Sequence, residues 1–188
     1  MTVESLEAPY LLLAAPVLLD PNFARSVVLI GHHTSEGALG WIVNRVLERK
    51  ASALLPPPLC DDVHPDTPLR LGGPVLTNGL IVVHRQDVPG VDSIDMAPHI
   101  RVSASPAILP KLFSTFEEGA TPEGLLLFGY SGWAPGQLEA EMEEGSWLVL
   151  PYEVSFGFPG HTDGLWEEAL ARLGVRPEAV STPSGGVS

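Results

Sequence analysis

A chain of 188 residues, 45% apolar and 18% charged, has the size and composition of a globular domain, so disorder is not the default reading. Ten Lys and Arg stand against 23 Asp and Glu, a formal net charge of −13, and a surface that negative repels the phosphate backbone that DNA-binding proteins neutralise with basic residues. No run approaches the ~18 apolar residues of a membrane span, the acidic start carries no secretory signal, and the lone Cys60 cannot form an internal disulfide, so a cytoplasmic protein is expected.

Tyr10 to Ala15, framed by Pro9 and Pro16, is a short apolar run and predicts a buried strand. Asp20-Pro21-Asn22 predicts a turn, Ser26 to His32 a second strand and Gly37 to Val43 a third, joined to the second by the polar His33-Thr34-Ser35-Glu36. Val46 to Leu55 predicts a short helix stopped by Pro56-Pro57-Pro58. A polar loop with Asp61, Asp62, His64 and Asp66 follows. Leu69 to Leu71, Leu80 to Val83 and Ile100 to Val102 read as further strands, with Gly72-Gly73-Pro74 as a tight bend. Ser105-Pro106 predicts the start of a helix reaching Gly119, its inner face Ile108, Leu109, Leu112 and Phe116, bent at Pro110.

Leu125 to Phe128 predicts a strand, Pro135 to Gly145 a helix with Leu138 and Met142 inward, and Trp147 to Leu150 another strand. Val154 to Phe158 is a further strand candidate. Asp163 is placed to cap a last helix through Leu165, Trp166, Leu170 and Leu173, which Gly174 and Pro177 end. The expected organisation is one domain over 1–180 with a disordered tail over 181–188. Strands grouped together, instead of alternating with helices, predict the α+β class.

Chemical motifs are sparse. Gly129-Tyr130-Ser131-Gly132-Trp133 sits where a hydrolase nucleophile elbow would, but the position two after the serine holds Trp133 where the sharp turn needs glycine. Ser131 is therefore not expected to be a nucleophile, and no catalytic residue is assigned. No histidine pair has helical metal-ligand spacing, and no phosphate-cradling glycine motif is present. A mobile loop with Asp61, Asp62, His64 and Asp66 lacks preorganisation for a metal, so neither metal nor other cofactor is expected.

One polar constellation stands out. Asn44 and Arg45 leave the third strand, while Gln137 and Glu141 lie one turn apart on the helix after Trp133. These five residues are the candidate binding site, with Arg45 expected to anchor on Glu141 or Glu139 through a two-pronged bond. The competing reading is a surface ion pair beside a core tryptophan.

Several blocks resemble a known family in the right order. They are Asp20-Pro21-Asn22-Phe23-Ala24-Arg25-Ser26-Val27-Val28, His33, Gly37-Ala38-Leu39-Gly40-Trp41-Ile42-Val43-Asn44-Arg45, Gly72-Gly73-Pro74-Val75, Val83-His84, Gly129 to Trp133, Gly136-Gln137-Leu138-Glu139, Glu141, Trp147, Trp166 and Gly174. Across roughly residues 8–175 the chain is similar to the YqgE/AlgH family of uncharacterised bacterial proteins. The resemblance implies an α+β fold with a bent, partly barrel-like mixed β-sheet surrounded by helices. It carries a label of transcriptional regulator without an agreed mechanism, and no catalytic residue. Two positions depart from the family pattern: Val46 replaces the usual proline after Asn44-Arg45, and Ser131 a usual alanine.

Together these observations favour a non-enzymatic binding or regulatory protein acting on a protein partner. A small-molecule enzyme using the Asn44, Arg45, Gln137 and Glu141 neighbourhood is the alternative. Direct DNA binding stands third, against the charge balance.

Overall fold

The computed structural model describes residues 6–178; the expected tail at 181–188 lies outside the described residues. Among the described residues, nine strands form one curled, mostly antiparallel sheet: β1 (Tyr10–Ala14), β2 (Val27–Thr34), β3 (Gly37–Ile42), β4 (Leu69–Leu71), β5 (Val75–His84), β6 (Ile94–Ala97), β7 (Ile100–Ser103), β8 (Gly124–Trp133) and β9 (Trp147–Pro151). Their order is β6-β7-β5-β8-β3-β2-β1-β9, with β4 added parallel to β8, so the sheet is mixed. Helices α1 (Ala51–Leu54), α2 (Leu109–Leu112), α3 (Gln137–Glu143), α4 (Val154–Gly157) and α5 (Leu165–Arg172) lie around it. This is the bent, partly barrel-like α+β architecture that the sequence resemblance implied.

The curl is made by β8. Its first half pairs with β4 and β5, and its second half pairs with β3. Gly129 marks the change, with φ +73° and its Cα so close to the carbonyls of Gly73 and Val75 that a Cβ would lie 2.6 and 2.8 Å from them. Only glycine combines that dihedral with that approach.

Both faces of the sheet are covered, which explains why β1 is buried along its whole length. Leu11 and Leu13 point into a core with Leu29, Trp41, Leu125 and Leu127, closed by Phe156, Phe158 and Trp166 from the α4 and α5 regions. Tyr10, Leu12 and Ala14 point the other way, towards Val28, Ile42, Trp133 and Trp147 under Leu138 of α3. A third cluster, with Leu69, Val82 and Leu126 beneath Ala51, Ile108, Leu109 and Phe113, covers the far half of the sheet.

Several local expectations are corrected. The helix expected from Ser105 to Gly119 is a 3₁₀ turn at Pro106–Ile108 followed by the single turn α2. Pro110 has no N–H to continue the first turn, yet the two short turns still bury Ile108, Leu109 and Phe113. Val154 to Phe158 forms helical turn α4 instead of a strand, since so short an apolar run does not discriminate by period. The helix expected from Val46 shrinks to α1, with Val46 bridged to Arg70. Strand β6 adds an edge where no strand is expected. Asp163 makes no cap; Gly164 at φ +74° takes that place.

Candidate functional site

Asn44 and Arg45 follow the end of β3, and both side chains turn back onto the loop before β2. Asn44 Nδ2 donates to the Arg25 carbonyl and its Oδ1 accepts from the Val27 N–H, each at 2.9 Å. Arg45 Nη1 donates to the Asn22 carbonyl at 2.6 Å. Burial pushes the Arg45 guanidinium down from its ordinary value, partly opposed by the Asp20 carboxylate.

The loop is also braced from within and from beyond. Phe23 and Ala24 N–H groups donate to the Asp20 carbonyl, and Asn22 N–H to the Asp20 carboxylate at 2.7 Å. Arg25 holds positive φ, pairs with Glu167 and stacks its guanidinium 4.8 Å from the Trp166 ring.

On α3, Glu141 is a hub. Its Oε2 accepts from the indole N–H groups of Trp133 at 2.9 Å and Trp147 at 2.8 Å, and its Oε1 from Gln137 at 2.9 Å. Gln137 in turn accepts from the Ala134 N–H. The two indoles are edge-on at 5.9 Å, and Phe23 lies 6.0 and 5.4 Å from them. Phe23 therefore couples the pinned loop to the tryptophan pair.

Trp133, Gln137 and Glu141 thus meet as expected, while Asn44 and Arg45 reach them only through the loop. The expected Arg45 anchor on Glu141 or Glu139 is not formed. Arg45 is occupied by loop carbonyls, Glu141 by indoles, and Glu139 by His33 Nε2 at 2.8 Å. Cavities beside Arg101, Arg70 and His84 are lined by none of the five residues.

Phe23, Trp147, Tyr10 and His33 join the site without having been expected there, the last two in a relay that ends on Glu139. Tyr10 Oη lies 2.8 Å from His33 Nδ1. Burial, then the Glu139 charge, pushes the Tyr10 phenol up. Burial also pushes Glu139 up, but hydrogen bonds from its own N–H and from His33 outweigh this and hold it below its ordinary value. The available signal is that Phe23, His33 and Trp147, like the five, lie among the sequence positions that carry the family resemblance.

Ser131 is fully buried in β8 and donates to the Gly72 carbonyl at 3.1 Å. It has no approach for a substrate. In the loop considered for a metal, Asp66 pairs with Lys50 and His64 stacks on Phe116. Among the described residues, no three His, Cys, Asp or Glu are placed to share an ion.

A family model described as AlgH-like matches residues 11–178 of this chain. A UPF0301 protein of Ruegeria pomeroyi is 35% identical over 179 residues, covering 93% of this chain and 96% of its own. One of Pseudomonas fluorescens is 30% identical over 184 residues, covering 94% and 93%. The solution structure of the AlgH protein from Pseudomonas aeruginosa superposes with a TM-score of 0.68 at 28% identity, covering 95% of each chain. A crystal structure of a Corynebacterium diphtheriae protein gives 0.66 at 25% identity, covering 97% of this chain and 91% of that one.

Proposed function

This chain belongs to the AlgH-like family of uncharacterised bacterial proteins, and we propose that it is a non-enzymatic binding or regulatory protein that docks a protein partner on the segment from Val17 to Arg25. The observation that carries this reading is an exposed turn held in one shape. Leu19 is 82% exposed and Val17 is also exposed, yet the turn beside them is fixed by Asn44, Arg45, Arg25 and the Phe23 contact with the tryptophans. A rigid exposed loop loses little conformational entropy on binding, and an exposed apolar side chain beside it supplies an anchor.

The same geometry argues against catalysis at the five residues. Glu141, Gln137 and Asn44 spend their polar atoms on internal bonds, and the cavities beside Arg101, Arg70 and His84 are lined by none of the five. Among the described residues no helix is long and apolar enough to cross a membrane.

The test is affinity capture from extract with the full chain, comparing wild type, Leu19→Asp and Arg45→Ala. The expected result is one partner retained by wild type, lost with Leu19→Asp at unchanged melting temperature and weakened with Arg45→Ala. Retention of the same partner by Leu19→Asp would refute the reading.

A further inference from the structure

Arg70 is an isolated charge inside an apolar strand, Leu69-Arg70-Leu71, and only 3% of it is exposed. Its Nε donates to the Val43 carbonyl at 3.0 Å and its Nη2 to the Pro159 carbonyl at 3.2 Å. Nη1 makes no hydrogen bond to the described residues, and no described carboxylate lies within ion-pair distance. Burial pushes this guanidinium down to about 10, so it still carries its charge at neutral pH. A buried charge without a counter-ion is costly, and proteins normally pair it.

Beside Arg70 opens a cavity of about 370 Å³, between the segment from Lys111 to Gly124 and Pro159-Gly160. That volume suits a small organic molecule. Its walls include Leu112, Phe113, Phe116 and Pro159. Thr67, on the same wall, has a buried hydroxyl with no hydrogen-bond partner. Of the two glutamates at the rim, Glu123 is taken by Arg85 at 2.5 Å.

We propose that this cavity binds a small organic carboxylate, its charged end on Arg70 and its apolar body against Phe113 and Phe116. Nη1 keeps donors free for a carboxylate, and a rotation of Thr67 about χ1 adds a hydroxyl. The apolar wall selects a carbon-bodied anion over a bare inorganic one. This site is remote from the Val17 to Arg25 segment and independent of the proposal for it.

The test uses the full-length protein titrated with benzoate and, in a parallel arm, inorganic phosphate, at constant ionic strength balanced with chloride. Amide shifts of Thr67, Phe113 and Gly160 are followed by NMR. Benzoate is expected to give saturable shifts with a Kd on the order of 1 mM, within reach of a fragment of its size. Phosphate is expected to bind roughly tenfold more weakly, since the apolar contacts are missing. Ala120→Trp, at an exposed position on the cavity lining, should keep the folded spectrum and abolish saturation while leaving Arg70 in place. Absence of saturable benzoate shifts, or their persistence in Ala120→Trp, would overturn the proposal and leave Arg70 as a strut between β4 and Pro159. Phosphate binding tighter than benzoate would overturn the carboxylate assignment.

Discussion

Glu141 carries two buried indoles, so its removal has a specific cost. Trp133 and Trp147 are 6% and 4% exposed, and no other acceptor among the described residues serves their N–H groups. Glu141→Ala leaves both unpaired and should destabilise the protein by about 2–4 kcal/mol in urea unfolding, at roughly 1–3 kcal/mol per orphaned group. Glu141→Gln retains a carbonyl oxygen facing the indoles and should lose less. Ser131→Ala gives the opposite outcome, a change of about 1 kcal/mol or less, because the Gly72 carbonyl still accepts from the Ile42 N–H at 2.8 Å. His84 sets a pH dependence. It is fully buried, with Nδ1 donating to the Gln86 carbonyl and Nε2 accepting from Ser93. Burial pushes its pKa down, so the unfolded chain binds the extra proton first. Its contribution is complete above the ordinary value of ~6.5 and is lost as pH falls from there towards the lower folded value. Urea midpoints at about pH 7.5 and 5.5 should therefore differ more in wild type than in His84→Gln. Helical spacing makes the Gln137–Glu141 pair legible in the sequence, but not the indoles on Glu141, because Trp147 is contributed by a separate strand. Nor is the role of Arg70 legible, since a lone arginine between leucines reads equally as a surface residue.

At the scale of elements, periodicity locates β1 to β3, β9, α3 and α5, where one face or both are fully apolar. It fails where Pro110 divides a helical stripe, and at β6, an edge strand with an exposed Ile94 and little alternation. It also stops β8 at Phe128, because Gly129 to Trp133 reads as a connection towards the next helix when Gly129 is the corner at which the strand changes partners. Gly129→Ala should accordingly cost more than about 3 kcal/mol, or prevent folding, since strained dihedral and backbone clash add. The loop before β2 behaves as an element too. Asn44→Ala removes partners of the Arg25 carbonyl and Val27 N–H, and should raise hydrogen exchange at Val27 and in 20–25 without global unfolding.

Across the whole molecule, charge is the property that the sequence displays most directly. All Lys and Arg are absent from residues 112–171, which hold eleven acids. Duplex DNA should therefore bind no more tightly than the nonspecific range of about 10⁻⁴–10⁻⁶ M at ~150 mM salt, measured by fluorescence anisotropy. The sheet is covered on both faces, so a partner has loops and edges to meet, and the pinned loop before β2 joins exposure to rigidity. The most direct measurement is photo-cross-linking in cells, with benzoylphenylalanine in place of Leu19 and, as control, of the exposed Leu173. One discrete protein adduct is expected from position 19, none from 173, and the adduct should be lost when Asn44→Ala loosens the loop. An absence of adduct at 19, or one indifferent to Asn44→Ala, would contradict docking on this segment.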